Sequence, residues 1–302
     1  AIVGYFGYYL FAHRTDFGHA LGMLDSTMFL LMAGTCLAQW TTRAASDMLL
    51  FRSIGCRVSW YEIFELNAAQ NLLNHLPMKA GTVYAAVRLN RKMDVHIADV
   101  ACCFLAQTYL IAMAAILAAG AALLIHPAGH TPGGRIAAFL LLALVAVATG
   151  LPFLSARSRF VPRRIAESIG RLVSGIHRLI AAPRLLAATL LLNVFGYAML
   201  TIRFYLAYRV LGIHLGFADT LLIGSASQFA LMIAITPAGL GIREAMLGVA
   251  SSLLRMPTQA GVFASTIARI VALASVSVVF SLCWLRGRRC QRRLKTGTQP
   301  TL

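Results

Sequence analysis

A chain of 302 residues that is 59% hydrophobic and only 12% charged, with a mean hydropathy of +0.75, is not an ordinary soluble domain but reads as a polytopic helical membrane protein. Its formal charge of +17 suggests an acidic partner, yet the basic residues cluster at the ends of apolar runs and no soluble stretch exists to build a groove, so anionic lipid head groups are expected and nucleic acid is not. The six cysteines form neither a disulfide framework nor a CxxC metal pattern, and Cys36, Cys102, Cys103 and Cys283 lie inside apolar runs where cysteine behaves as a small hydrophobe.

Ile2 to Ala12 is shorter than the roughly 20 residues a crossing needs, and reads as the end of a first transmembrane helix, truncated if upstream residues have been trimmed. No cleavable signal is visible. Ser26 to Phe51 is long enough to cross, and its Arg43 and Asp47, four apart, share one face. Ile63 to Leu76 is apolar but carries Asn67, Gln70, Asn71, Asn74 and His75 before Pro77-Met78-Lys79-Ala80-Gly81-Thr82. It is too short to span, and so many amides do not face lipid.

Arg88, Arg91 and Lys92 mark an interface, after which Val100 to Ile125 crosses with Gln107 inside it. The loop from His126 to Gly134 is turn chemistry; His126 and His130 read as loop residues rather than a metal pair, and no metal or cofactor is expected. Ile136 to Leu154 crosses again. Arg157 to Arg184 carries seven arginines against Glu167, with Ile165, Ile169, Leu172, Val173, Ile176 and Leu179 at helical spacing. That pattern fits a helix lying in the interface on anionic lipid; a basic loop that only fixes topology is the alternative.

Leu185 to Tyr208 crosses with Asn193 and Arg203 inside it. Leu221 to Ile235 then runs into Thr236-Pro237-Ala238-Gly239-Leu240-Gly241-Ile242-Arg243-Glu244, a break followed by the apolar Met246 to Leu254. Freed backbone and charge at membrane depth are tolerated where they are buried in protein or line a wet cavity, so the break marks a site. The plainer alternative is a surface loop whose Arg243 and Glu244 cap the next helix. Val262 to Leu285 is the last crossing, with Arg269 in its first half, ahead of a basic tail over residues 287–302.

The two broken regions repeat. Arg52, Gly55 and Glu62 recur as Arg209, Gly212 and Asp219 at an offset of 157, and Pro77 and Gly81 recur as Pro237 and Gly241 at 160. The expected fold is therefore all-α, with about six membrane-spanning helices plus two proline-broken re-entrant hairpins in an inverted repeat. Residues 1–132 form the first repeat and residues 133–286, with the interfacial helix 157–184, form the second. Under the rule that basic loops stay in the cytoplasm, Arg52 to Lys92, Arg157 to Arg184 and the tail share the cytoplasmic side of the cell (inner) membrane. The Pro77 hairpin then opens inward and the Pro237 hairpin outward.

With these residues in view, the chain resembles the flippase-like transmembrane family of lysylphosphatidylglycerol synthases, the membrane half of multiple peptide resistance factor. Thr236 to Glu244 is similar to the family's TPGGLGxRE, with Ala238 replacing a glycine; Asn74 to Thr82 is similar to N-x-x-P-x-(R/K)-x-G-(D/E/T), with Thr82 where many members carry an acid. Arg269 stands where the family has an arginine in its last helix. The resemblance implies movement of an anionic or aminoacylated phospholipid, or of a polyprenyl-linked or hopanoid-type lipid, between leaflets. Aminoacyl transfer would then fall to a separate lipid-modifying enzyme, and the chain itself is not expected to be an enzyme.

A head group must cross about 30 Å of hydrocarbon, where a bare phosphate loses its hydration. Arg43, Lys79, Arg203, Arg243 and Arg269 are the expected cationic donors to it, and the helix starts after Gly81 and Gly241 add backbone N–H groups. Glu244 pairs with one of these arginines in the empty state or meets a cationic head group. Asn71, Asn74, Thr82 and Gln228 line the path, and Pro77, Pro237 and Gly239 keep it unwound. A bland reading stands beside this, in which Arg43, Arg203 and Arg269 only hold the bundle together. Two other functions stand beside it: an ion-coupled transporter of a small solute, which the inverted repeat suits equally well, and a membrane enzyme acting on a lipid phosphate, against which the scattered acids count.

Overall fold

A computed structural model describes residues 14–56, 58–75, 80–93, 97–125, 182–233 and 239–295. Its described helices are α1 (Arg14–Gly22), α2 (Ser26–Ser53), α3 (Trp60–Leu73), α4 (Ala80–Met93), α5 (Ile97–Ile125), α6 (Pro183–Val210), α7 (Phe217–Ile233), α8 (Ile242–Leu253) and α9 (Thr258–Lys295). The expected crossings Ile2 to Ala12 and Ile136 to Leu154, the His126 loop, residues 157–181 of the interfacial segment, and Pro77, Lys79 and Pro237 lie outside the described residues. Pro183 and Arg184, read from sequence as the end of the basic stretch, instead open α6, with the proline in the first turn where its missing N–H costs nothing.

Three described segments are long and apolar enough to cross a membrane: Asp99–Ile125, Pro183–Val210 and Thr258–Arg286. At 28 residues α2 has the length of α6, but Gln39, Thr41, Thr42, Arg43 and Asp47 in its central turns dilute its hydropathy. α1 went unanticipated, since its nine residues include Arg14, Asp16 and His19 and no apolar period. α9 continues past the expected end of its crossing to Lys295, because the Arg, Gln, Leu and Lys of the basic segment are good helix formers.

Local chemistry fixes where these helices start and stop. Asp25 accepts from the N–H of Met28 at 2.6 Å and caps α2. Its end is closed by Gly55 at φ 87°, with Gly55 N donating to Arg52 O and Cys56 N to Phe51 O, both at 3.0 Å. α6 ends the same way, with Gly212 at φ 74° and bonds of 3.0 Å from Gly212 N to Arg209 O and from Ile213 N to Tyr208 O. A side chain at either glycine would be strained in this left-handed turn. The starts of α3 and α7 match too: Glu62 accepts from Ser59 N at 3.1 Å, and Asp219 from Gly216 N at 3.1 Å. The glycines and acids that repeat in the sequence are helix punctuation.

Packing follows the same correspondence. The most extensive pairing is α2 with α6, and each other pairing among α2 to α9 has a counterpart when α2, α3, α4 and α5 are exchanged for α6, α7, α8 and α9. One apolar core gathers Leu50, Phe51, Ile63, Leu66, Leu89 and Phe104 of α2 to α5. A second gathers Met32, Phe204, Tyr208, Ile223, Leu247 and Ile267 of α2 and α6 to α9. Polar side chains lie on the central turns between them. Ser46, Gln107 and Asn193 close a buried ring joining α2, α5 and α6: Ser46 Oγ donates to Gln107 Oε1 at 2.8 Å, Gln107 Nε2 to Asn193 Oδ1 at 2.9 Å, and Asn193 Nδ2 to Ser46 Oγ at 3.2 Å.

The long α9 touches the two broken regions at different levels. Near its end, Tyr61 of α3 donates to the Cys283 carbonyl at 2.8 Å, and Arg286 lies 5.5 Å over the Tyr61 ring. Near its start, Gly261 approaches α8 so closely that a Cβ there would sit 2.1 Å from the Leu247 carbonyl oxygen. At 1.5 Å per residue these levels are about 30 Å apart, the thickness of a hydrocarbon core. Without a hydrophobic drive between helices in lipid, such close contacts are the main source of cohesion.

Gly261→Val should therefore lower the thermal midpoint of the protein in detergent, by the equivalent of about 2 kcal/mol or more. Asn193→Leu should cost about 1–2 kcal/mol by taking the acceptor from Gln107 Nε2, and the triple change Ser46→Ala, Gln107→Leu, Asn193→Leu should recover much of that loss in the same melting assay.

Candidate functional site

The break between α7 and α8 is built by two glycines in the left-handed region, Gly239 at φ 68° and Gly241 at φ 86°. The sharp turn they allow brings Glu244, in the first turn of α8, back over Gly241, whose N–H donates to Glu244 Oε2 at 2.7 Å. The other carboxylate oxygen accepts from Arg269 Nη2 of α9 at 2.7 Å and from Ser265 Oγ at 3.4 Å. With Glu244 only 1% exposed, this is a buried ion pair whose acid is held on both oxygens. Removing one partner of such a pair typically costs about 3–5 kcal/mol.

Two further guanidiniums stand close by. Arg243 is half-buried, donates through Nε to Ser227 Oγ at 2.8 Å and lies 5.1 Å over the Phe204 ring. Arg203 is 5% exposed, donating from Nη1 to Cys36 Sγ at 2.6 Å and from Nη2 to Gln39 Oε1 at 2.7 Å, while its buried Nε has no hydrogen-bond partner among the described residues. Arg243 feels the charges of Arg269, Arg203 and Glu244 together. Among the described residues neither Arg203 nor Arg243 has a carboxylate within 4.0 Å. Among the described residues three cations thus stand around one acid, which pairs with Arg269.

The end of α3 and the start of α4 are tied together as one tip. Gln70 Nε2 donates to Thr82 Oγ1 at 3.3 Å, the N–H of Thr82 donates to Asn74 Oδ1 at 3.2 Å, and Asn71 Nδ2 donates to the Asn67 carbonyl at 2.9 Å. Gly81 is needed for closeness, since a Cβ there would meet the Gln70 carbonyl oxygen at 2.1 Å. His75, at this tip, lies within electrostatic reach of both Arg269 and Arg243.

Of the residues singled out in the sequence, the structure brings together Arg203, Gly241, Arg243, Glu244 and Arg269, with Gly239 shaping the turn and Gln228 buried beside Ser227 on α7. Asn71, Asn74, Gly81 and Thr82 lie at the adjoining ends of α3 and α4. Arg43 stands apart: it faces Asp47 at 3.9 Å with a third of its side chain exposed, and Asp47 accepts from Asn67 Nδ2 at 3.0 Å, tying α2 to α3. Ser227, Ser265, Phe204, Cys36 and Gln39 were not anticipated as partners. Gln39 gave a usable signal, as an amide in a span three residues after Cys36; a serine or phenylalanine in an apolar run gives none. Pro77, Lys79 and Pro237 lie outside the described residues. Chemically, the cluster can hold an anion through forked, charge-assisted hydrogen bonds. Among the described residues, no three His, Cys, Asp or Glu side chains group to hold a metal ion.

No curated protein and no solved structure matches the chain. Residues 1–279 do match a family, described as the lysylphosphatidylglycerol synthase TM region. That match takes in α1 to α8 and α9 as far as residue 279, with the Glu244–Arg269 pair inside it, and the chain belongs to this family of membrane proteins.

Proposed function

We propose that the chain is a flippase- or scramblase-like transporter that carries the phosphate-bearing head group of a membrane lipid between leaflets, and that it is not itself an enzyme. The observation that carries this reading is the excess of cation, buried Arg203 and Arg269 with half-buried Arg243, around Glu244, the one acid at the cluster among the described residues. Unpaired guanidinium in a low-dielectric interior is expensive, and an incoming phosphate offsets that cost where it crosses. Exposed Leu191, Val194, Phe195 and Ile202 on α6 offer a surface suited to acyl chains outside the bundle.

The proposed architecture is an inverted repeat, residues 1–132 and 133–286, with two re-entrant hairpins whose tips meet near Arg269. Three facts support it: the matched caps, the exchangeable helix pairings, and the contacts of α3 and α8 with opposite ends of α9. Paired broken segments of this kind recur around the midplane sites of transporters. In this reading the basic tail 287–302 and the mouth of the first hairpin face the cytoplasm of the cell (inner) membrane, beside anionic lipid. The remaining roles proposed from sequence, including those of Arg43, Lys79 and Asn71, belong to the approach to the cluster. A separate lipid-modifying enzyme would supply any aminoacylated lipid, and transfer runs down a lipid or ion gradient.

Arg243→Gln should reduce transfer of a fluorescent anionic phospholipid between leaflets of protein-containing vesicles by about tenfold or more, since a hydrogen bond to a charged group is lost, while the thermal midpoint changes little because its partners are neutral. Unchanged transfer would remove Arg243 from the path. Glu244→Gln should lose both transfer and melting temperature, as Arg269 is left buried without its acid. In cysteine-free protein in oriented vesicles, Ser59→Cys and Gln259→Cys should react with an impermeant maleimide from opposite sides; labelling from one side would rule out the inverted arrangement.

A further inference from the structure

The charge balance of the cluster says more than that an anion binds. Glu244 is committed on both oxygens, to Gly241 N–H on one side and to Arg269 and Ser265 on the other. What remains is a pair of guanidiniums, Arg203 and Arg243, whose partners are a thiol, an amide oxygen, a hydroxyl and a phenyl ring, none of which carries charge. These are replaceable acceptors. Cys36 sulfur is a weak one, Arg203 Nε has none among the described residues, and neither terminal amino group of Arg243 has a hydrogen-bond partner among the described residues.

Resting on the transporter reading, we infer that the site selects a doubly anionic head group, a phosphate monoester or a diphosphate, over a singly charged phosphodiester, and rejects a lipid whose head group bears ammonium. Two uncompensated cations in a medium of low dielectric are neutralised by two negative charges and only half neutralised by one. A phosphate monoester carries about −1.5 to −2 near neutral pH and offers three oxygens, enough for forked bonds to both Arg203 and Arg243. A lysyl-phosphatidylglycerol brings two ammonium groups against its one phosphate charge, and any other aminoacyl ester brings at least one. Among the described residues no acid at the cluster is left to receive them, because the only other buried carboxylate, Asp47, is engaged by Asn67 and Arg43 on the first hairpin's side. The substrate class is thus set by charge number at Arg203 and Arg243, independently of the acyl chains.

The test uses the full chain in phosphatidylcholine vesicles at pH 8, with phosphatidic acid, phosphatidylglycerol and lysyl-phosphatidylglycerol labelled on the same acyl chain. Phosphatidic acid should cross about tenfold faster than phosphatidylglycerol, with the lysyl lipid slowest. Arg203→Gln should bring the first ratio toward one, and Arg203→Lys, which keeps the charge, should preserve most of it. Equal rates for all three lipids, a faster lysyl lipid, or a ratio unchanged by Arg203→Gln would overturn the charge assignment. Binding separates this from failure of transport, and also covers an Arg203→Gln protein that does not fold. If no lipid crosses but phosphatidic acid raises the melting temperature of the wild-type protein in micelles more than phosphatidylglycerol does, the transporter reading fails and the head-group assignment stands. If inorganic pyrophosphate alone stabilises as strongly as phosphatidic acid, the site takes a soluble dianion and the lipid assignment fails.

Discussion

One carboxylate holds the second broken region in shape. Glu244 ties the turn at Gly241 to the body of α9 through Arg269, and it does so where water is scarce and each missing hydrogen bond is costly. Because that acid is used up in building the turn, it cannot also balance Arg203 and Arg243. The structural need to anchor the turn at Gly241 and the surplus of positive charge beside it are therefore the same fact seen from two sides.

The bundle accommodates this surplus by keeping it between two apolar cores. Phe51 and Ile63 mark one, Tyr208 and Leu247 the other, and the polar side chains of α2 and α6 run between them. Within that band the neutral groups are satisfied by one another, as Ser46, Gln107 and Asn193 are, which binds three helices without leaving charge. Small residues let backbones come together where the cores taper: Gly224 against Thr201 and Tyr197, Gly248 against Thr258, and Gly261 against Leu247. Cohesion and site formation thus fall to different residues of the same layer.

Much of this was legible in the chain before any coordinates. The crossings Val100 to Ile125, Leu185 to Tyr208 and Val262 to Leu285 came from apolar length alone and correspond to α5, α6 and α9 to within a few residues at most ends. The repeated Gly55 and Gly212, and Glu62 and Asp219, were visible as a pattern, though not as the caps they are, because a cap is defined by a hydrogen bond and not by spacing. Arg203, Arg243, Glu244 and Arg269 stood out because charge in an apolar run is rare. Which arginine takes the acid was not readable, since Arg269 lies 25 positions from Glu244 and only the turn at Gly241 brings them together. Arg43 and Asp47, read as neighbours on one face, are so placed, yet Asn67 shares the carboxylate across a helix boundary that periodicity cannot see.

The junction between α2 and α6 holds a further consequence. Ser46 and Asn193, which meet in the closed neutral ring, stand at the sequence offset of 157 from Arg203 and Cys36, which meet in the charged cluster. Matching positions on these two helices thus join them twice, once by neutral groups that satisfy one another and once by a guanidinium whose partners carry no charge. The junction is lopsided although its helices are of equal length: one level is a closed rivet, and the other keeps an arginine short of an acceptor among the described residues.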